Sequence, residues 1–491
     1  MACAAVSAGA RDVSEFGMDH YTVGKLKRGW GVSVYVFYDF ETTGVSPAFD
    51  QPLQFAAIRT DDNLNPVDEI DIRCRLAPHI LPAPWAMAVT GVTPEMLTDP
   101  TLPSLYGFSL ELRKRIDAWS PAVFAGYNSI AFDENFIRQT LYQNLHPDLY
   151  LTQFNGNTRF DLMLAVYACW IMAPDALEWP QDDSGAVSFK LDALAPANGF
   201  TGHDAHDALG DVRATIHLAR LIRDRAPQVW RQMLANTNKN SVLDLIRSGD
   251  PIRLIARFGK PPPRSYVVAF CGTNSDNRNE VGLFDIENHD PHEFLDADDD
   301  VLDFAATTSP KIIRAIGINK NPMIFPWTPS DGDDATSILG RANMIRSQDE
   351  FFGRVGDALA GRFPEREPSE HVEDQIFDGF YTTTDKRHLQ VFHQAEWQDR
   401  PTILAQISDE RLRRLGMRLI FFERPELVGE EYRRNATKAI VDRWNSEDSA
   451  GWMTFHQVAE ELDEIESAGV MSAIDLVNLR AFYAERQFPI R

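Results

Sequence analysis

Two carboxylates two residues apart, Asp39 and Glu41, end a run of β-branched and aromatic residues, Val34 to Phe40, and Thr42-Thr43-Gly44 follows them. The run reads as a buried strand. Side chains alternate across a strand, so both acids point to one face. Held that close they repel strongly unless a cation sits between them, and their oxygens are hard ligands suited to Mg²⁺ or Mn²⁺. An Asp-x-Glu pair is common by chance in an acidic chain. This one is marked out by its apolar approach and by the glycine at its exit, which allows close backbone approach to a ligand.

Two more carboxylates and a histidine stand at element boundaries downstream. Asp133 falls where the Ala125–Phe132 segment hands over to an amphipathic stretch carrying Phe136, Ile137, Leu141 and Leu145; taken alone it reads as a helix N-cap. Arg138 faces another side of that helix and could reach a phosphate. His206 and Asp211 open the helix of Val212, Ile216, Leu218 and Leu221. Five helical residues carry the chain about 140° past a full turn. The two therefore share a site only if Asp207 caps the helix, His206 sits in the preceding loop and Asp211 points inward. His203 reads as a surface-loop residue.

The elements that must position these groups follow a β-β-β-α-β-α…α order. Leu53–Thr60 reads as a second strand, and the alternating Ile70, Ile72, Cys74 and Leu76 as a third, half-buried one. Thr93 can cap a short helix with Pro94 at its first position. Leu110–Trp119 has helical period and Ala122–Tyr127 reads as a short strand. In that frame four carboxylates can hold two divalent ions about 3.5–4 Å apart, which clamp the attacking and leaving oxygens of a phosphodiester. A histidine of ordinary pKa can take the proton from water at neutral pH.

With 491 residues, 44% hydrophobic and 24% charged, the chain has the composition of a globular protein of two to four domains. Its four cysteines are scattered without a C-x-x-C pair, which argues against a disulfide framework or zinc cluster and fits a reducing cytoplasm. No apolar run approaches a membrane span. Residues 1–30 read as a poorly ordered leader with a basic cluster, Lys25 to Arg28, and too short an apolar core for a signal peptide. The net charge of −24 disfavours binding nucleic acid by bulk phosphate neutralisation, but not by metal ions and a local basic groove. Asp285 to Asp303 holds nine carboxylates and no Lys or Arg, and reads as a solvated loop. Ala226-Pro227 ends the long helix. Strand-like runs follow at Tyr266–Cys271 and Val281–Ile286, then helical periods over 404–419, 430–444, 453–468 and 472–486.

Asp39-Phe40-Glu41-Thr42-Thr43-Gly44, then Asn128 to Asp133, then His206-Asp207-Ala208 with Asp211, resemble the three exonuclease motifs of the DEDD superfamily, His-containing branch. Asp50–Thr60, Ser188–Leu191, Ile318–Pro322 and Asp374–Phe380 narrow the resemblance to the exodeoxyribonuclease I family of 3′→5′ single-strand DNA exonucleases. It is strongest over 35–225 and sparse beyond. It implies an α/β, ribonuclease-H-like exonuclease domain with a mixed sheet over 31–226. An SH3-like β-rich domain over 227–364 and an α-helical C-terminal domain over 365–491 would close a DNA passage over the site.

The resemblance also implies roles. Asp39, Glu41, Asp133 and Asp211 would bind two Mg²⁺ ions, with Mn²⁺ a possible substitute, and His206 would be the general base. Glu41, Thr42, Arg138, Lys190 and Lys239 would touch the strand; relatives can carry Arg at the Lys190 position, where only Arg binds phosphate bidentately. Lys239, Arg247, Arg253, Arg257, Lys260, Arg264 and Arg411, Arg413, Arg414, Arg418 could line a groove, or the last four form a solvated helix face. The implied activity is hydrolysis of single-stranded DNA to 5′-mononucleotides in DNA repair and recombination. It would be carried out by a cytoplasmic monomer that binds no membrane and can bind the tail of single-strand DNA-binding protein. The rivals are an RNA-directed or proofreading exonuclease and a catalytically inactive nucleic-acid-binding module. Residues 227–491 weigh against the first two, which are little more than a catalytic domain, and the presence of all five site residues weighs against the last.

Overall fold

The computed structural model describes residues 34–201, 207–330, 334–364, 367–447 and 451–486. The leader, His203 and His206 lie outside the described residues. Strand β1 (Tyr35–Thr42) is the centre of a five-stranded mixed sheet with β2 (Pro52–Thr60), β3 (Pro66–Arg73), β4 (Val123–Gly126) and β5 (Thr158–Asp161) in the order β3-β2-β1-β4-β5. The β1–β2 and β2–β3 pairs are antiparallel, while β1–β4 and β4–β5 are parallel. Around the sheet lie helices α1 (Pro84–Thr90), α2 (Leu105–Trp119), α3 (Asp133–Gln143), α4 (Leu162–Met172), α5 (Ala208–Arg225) and α6 (Pro227–Ala235).

The alternation of β1 decides which helix lies on which face. Tyr35 and Phe37 pack into a core with α4, α5 and α6, among them Val166, Val212, Ile216 and Trp230. Val36, Tyr38 and Phe40 enter a second core with Phe108, Leu112 and Ile116 of α2 and Ile137 and Leu141 of α3. Both faces of the strand are thus covered, which explains why its apolar run is nearly continuous. The short helix expected after Thr93 forms as Pro94–Thr98, and the Thr93 side chain accepts the Met96 N–H. Cys74, Cys169 and Cys271 are buried free thiols. No helix among the described residues is long and apolar enough to cross a membrane.

A second sheet, wholly antiparallel, is built from β6 (Ile252–Ala256), β7 (Arg264–Thr273), β8 (Glu280–Asp285), β9 (Ile313–Gly317) and β10 (Ile324–Pro326) in the order β10-β6-β7-β8-β9. It docks on the edge of the first sheet through the Asn319–Pro322 turn. Buried Asn321, at φ +50°, accepts the Asp161 N–H (3.1 Å) and donates to the Met233 carbonyl (2.8 Å), while Arg159 donates to the Asn319 carbonyl (2.8 Å). The acidic stretch 285–303 is not a solvated loop throughout. Asp285 ends β8, and helices His292–Leu295 and Asp299–Thr307 bury Phe294, Leu302, Ala305 and Ala306 against the sheet. Their acids face outward at helical spacing.

The C-terminal helices include Glu410–Glu423, Glu430–Trp444, Phe455–Ala468 and Ala473–Arg486. The period read over 404–419 is interrupted, because helix Arg400–Leu404 stops and Asp409 caps a new one. These helices pack on α1 and α3, and one buried carboxylate ties the joint. Glu373 accepts from Arg418 (2.6 Å) and Arg443 (2.9 Å), and Arg418 also reaches Gln143 at the end of α3 (2.8 Å). Burial alone would raise the Glu373 carboxyl, but the two guanidinium groups outweigh it and hold it down at about 2. A carboxylate with a depressed folded pKa stabilises the fold above its unfolded pKa and loses that contribution as pH falls through the folded one. We therefore expect denaturant unfolding of Glu373→Gln at pH 7 to show a loss of about 3 kcal/mol. The gap to the parent should close as pH falls from about 4.5 to 2; a constant gap across that range would show that the carboxylate charge is not what ties the joint.

Candidate active site

The acidic cluster stands where β1 outruns β4. The parallel β1–β4 register ends at Phe37–Ala125, and the two chains diverge beyond it, β1 towards β2 and β4 towards β5. Such a switch point at the carboxyl ends of parallel strands is the usual place for a ligand in an α/β sheet. Gly126 permits the split: a Cβ there would lie 2.6 Å from Ser129 Cβ and 3.0 Å from the Tyr38 carbonyl oxygen. Asp39 and Glu41 project from β1 on the Tyr35–Phe37 face, the face that α5 crosses. Asp211, in the first turn of α5, meets them. Each of the three offers a carboxylate oxygen, and those oxygens lie within 4.8 Å of one another. Asp133 completes the group from the other side: its Oδ1 accepts the N–H of Phe40, the residue between the two acids of β1 (3.1 Å).

Each acid is held by neighbours of its own element. Asp207 caps α5, as its spacing to Asp211 requires, accepting the Gly210 N–H (3.3 Å). Its other oxygen is gripped by Gln54 Nε2 of β2 (3.1 Å) and Arg73 Nη2 of β3 (3.0 Å), so the start of α5 is tied to the sheet. Asp133 is the first residue of α3 and not its cap, Phe132 occupying that position. Glu134, fully buried beside it, accepts from the Tyr38 hydroxyl (2.8 Å), the Thr152 hydroxyl (2.8 Å) and Arg159 (3.4 Å). Asp161, at the end of β5, takes the N–H groups of Asn128 (2.9 Å), at φ +62°, and Ile130 (3.2 Å) and shapes the turn before Asp133. Gly44 takes part in the bracing beside this site. A Cβ there would sit 2.5 Å from the carboxylate of Asp50, which accepts the Thr43 hydroxyl (2.8 Å) and the Ser46 N–H (2.9 Å).

The charges are at odds with their burial. Burial raises Asp39 well above the usual carboxylate range, and Asp133, Asp211 and Glu41 push it further. Burial, then Asp211, Asp133 and Asp207, raises Glu41 to about 8 against the pull of Arg73. Asp133 is raised too, by burial first, although its own N–H and that of Phe40 oppose the shift. Close carboxylates that would rather hold protons than charge are what a divalent cation neutralises, and an all-oxygen donor set fits a hard one. The residues present therefore fit such an ion.

The other candidates are more dispersed. The Thr42 hydroxyl donates to the Gly44 carbonyl (2.7 Å). Arg138 turns to Glu134 (3.7 Å) and Asn135 (2.7 Å) and lies over the Tyr150 ring. Lys190 is exposed at the start of helix Leu191–Ala197, and Lys239 donates to Asn279 (2.7 Å) on the second sheet. Arg411 and Arg418 tether the C-terminal helices, to Gln375 and Glu373 respectively, while Arg414 is exposed. Glu134, Asp161, Gln54 and Arg73 escape a reading of the sequence for chemistry. Only the period of β2 signals one of them, placing Gln54 opposite Glu41.

Residues 36–219 match the family model described as exonuclease. The chain carries an exonuclease domain. Its sheet is the mixed, ribonuclease-H-like one expected, and the likeness extends well beyond that domain. The chain is similar to exodeoxyribonuclease I of Escherichia coli, 28% identical over 405 residues, which are 78% of this chain and 84% of the relative. A crystal structure of E. coli exonuclease I with a dA16 oligonucleotide superposes with a TM-score of 0.81 at 26% identity, over 93% of this chain and 100% of the other. A structure of SSB/exonuclease I with an inhibitor does so at 0.78 and 25%, over 92% and 99%. The likeness supports a nuclease hydrolase, whose exonuclease domain carries an acidic cluster that fits divalent metals.

Without a cation the exonuclease domain takes up protons on folding, because the Glu41 carboxyl rises from its ordinary value to about 8. Stability of the metal-free protein should therefore fall as pH rises from about 4.5 to 8. Asp211→Asn removes one repelling charge, so in EDTA at pH 8 it should be more stable than the parent by roughly 1.4 kcal/mol per pK unit relieved and unfold at a higher temperature. Its gain from added Mg²⁺ should be smaller than the parent's. Thermal unfolding with and without metal checks both; a variant less stable than the parent in EDTA would contradict the account.

Proposed function

We propose that this protein is a Mg²⁺-dependent exodeoxyribonuclease that shortens single-stranded DNA from its 3′ end and releases 5′-mononucleotides. The observation that carries this reading is the cluster of Asp39, Glu41 and Asp211, closed by Asp133, at the switch point of an exonuclease sheet. In this reading the four carboxylates hold two Mg²⁺ ions, for which Mn²⁺ can substitute. Bound there, the ions would supply Lewis acidity and neutralise the charge that builds on the phosphodiester. His206 acts as the general base, taking a proton from the attacking water. Asp207 supports this role from the next position, since its two grips on the sheet fix where the chain enters α5. Glu41 and Thr42 border the terminal nucleotide, and Lys190, Arg138 and Lys239 contact the strand. Freeing Arg138 for that contact requires it to exchange Glu134 and Asn135 for a phosphate.

The two structures named above support the choice of substrate and partner: the E. coli one holds a deoxyoligonucleotide, and the other pairs exonuclease I with SSB. We read that protein's tail as a partner here too, and the enzyme as a cytoplasmic monomer of DNA repair and recombination. The domain borders belong to the same reading: exonuclease to 226, an SH3-like domain over 227–364, and helices from 365 that help close a passage for the strand.

The test offers end-labelled single-stranded DNA, duplex DNA and RNA side by side, with Mg²⁺ or with excess EDTA. Single-stranded DNA should be degraded from the 3′ end, faster than the other two, and only with the metal. Rapid loss of RNA with DNA intact would make the protein an RNA-directed exonuclease, and turnover in EDTA would remove the metal from the mechanism. His206→Ala should slow cleavage by about 10²–10⁴ and recover partly as pH rises, with metal binding unchanged.

A further inference from the structure

Glu134 is 1% exposed and stands in the first turn of α3, directly after Asp133. The two acids together brace β1 on both sides of Asp39. Asp133 accepts the Phe40 N–H (3.1 Å), and Glu134 accepts the Tyr38 hydroxyl (2.8 Å). The side chains of Tyr38 and Phe40 lie in the core with α2 and α3, so Glu134 grips the strand from behind the site. Its second oxygen is held by the Thr152 hydroxyl (2.8 Å). A carboxylate pinned at both oxygens fixes the rotation of the helix start, and with it the direction of the Asp133 side chain.

The two guanidinium groups beside Glu134 are not equivalent. Arg159 is fixed: one nitrogen lies 3.4 Å from the carboxylate, and the other donates to the Asn319 carbonyl (2.8 Å). Arg138 is held more loosely. Its Nη1 stands 3.7 Å from Glu134, beyond hydrogen-bond distance, and its Nη2 donates to Asn135 (2.7 Å). Its Nε is buried without a hydrogen-bond partner. A guanidinium with an unmet donor and a long ion pair is one that a phosphate can take over. We propose that Glu134 is a positioning residue with two opposed effects. Its hydrogen bonds set Asp133 and Asp39 for the cation, while its charge retains Arg138 and so weakens the hold on the strand. This rests on the proposed function, in which Asp133 binds the metal and Arg138 meets the strand, and it adds the residue that links them.

The test uses the full chain and two variants. Glu134→Gln keeps the shape and one acceptor oxygen but loses the charge; Tyr38→Phe removes one donor and leaves the charge. Calorimetry reads Mn²⁺ binding, and fluorescence anisotropy reads binding of an oligothymidylate in EDTA. Glu134→Gln should raise Kd for Mn²⁺ about 10–100-fold at unchanged stoichiometry. It should lower Kd for the oligothymidylate by about fivefold, the loss of a weak ion pair, and adding Arg138→Gln should abolish that gain. Tyr38→Phe should weaken Mn²⁺ binding and leave strand affinity as it is, and it decides the cation arm alone if Glu134→Gln does not fold. Damage to the fold would weaken both ligands together, so opposite signs identify the proposed role. Parent-like Mn²⁺ affinity in both variants would overturn it, as would strand binding no tighter in Glu134→Gln. Fewer Mn²⁺ sites of parent affinity, with a lower melting temperature in EDTA, would make Glu134 structural only. A parent that binds Mn²⁺ and the strand while the variants match it refutes the role of Glu134 alone; a parent that binds neither refutes the proposed function as well.

Discussion

Mutual repulsion among close carboxylates at the end of β1 is the constraint that the surrounding structure answers. Asp39, Glu41 and Asp211 bring oxygens within 4.8 Å of one another, where burial adds to the cost of charge on Asp39 and Glu41. Left to themselves such groups would separate or protonate. They are held because each belongs to an element locked by something other than the acid. β1 is packed on both faces, by α4–α6 on one and by α2 and α3 on the other. The start of α5 is gripped through Asp207 by Gln54 and Arg73. The start of α3 is gripped through Glu134 by Tyr38, Thr152 and Arg159. Stability is thus given up at one point of the fold and recovered around it, the usual pattern at a preorganised site.

The parts of this arrangement that could be read from the sequence are those governed by local rules. The period of two places Asp39 and Glu41 on one face of β1, and the turn of a helix calls for Asp207 as the cap of α5 if His206 and Asp211 are to share a site. The shared face and the Asp207 cap are both present in the structure. The parts that could not be read depend on partners far along the chain. Asp133 has the local look of a cap, yet its carboxylate takes a strand N–H 93 residues away. Gly44 also admits the carboxylate of Asp50 to close contact, a neighbour that only the folded loop brings there. The acids of 285–303 suggest a loop because charge dominates the composition. Leu302 within the stretch and Ala305 and Ala306 just after it nevertheless fall on one helical face and decide the outcome. Arg411 and Arg418 look available in sequence and are engaged in structure, because a guanidinium near a buried carboxylate or carbonyl satisfies it before any ligand arrives.

The second sheet and the C-terminal helices bear on the site through the elements they grip. Asn321 holds the backbone of Asp161, the residue that shapes the turn before Asp133. Trp452 and Arg443 pack on Phe49 in the loop that follows Glu41, with ring centroids 5.4 Å apart for the tryptophan. The first contact reaches the Asp133 turn through Asp161, and the second bears on the loop after Glu41. The regions beyond the exonuclease domain are therefore joined mechanically to the turns that carry the acids, and any strand they hold is held in register with those acids.

The central claim is that these four carboxylates form one cation site with room for a pair of ions. Anomalous diffraction from crystals soaked in Mn²⁺ reads that directly. The account predicts two peaks about 3.5–4 Å apart among Asp39, Glu41, Asp133 and Asp211, both lost in Asp39→Asn. Manganese bound elsewhere, or a single ion that touches neither Asp39 nor Asp211, would contradict it.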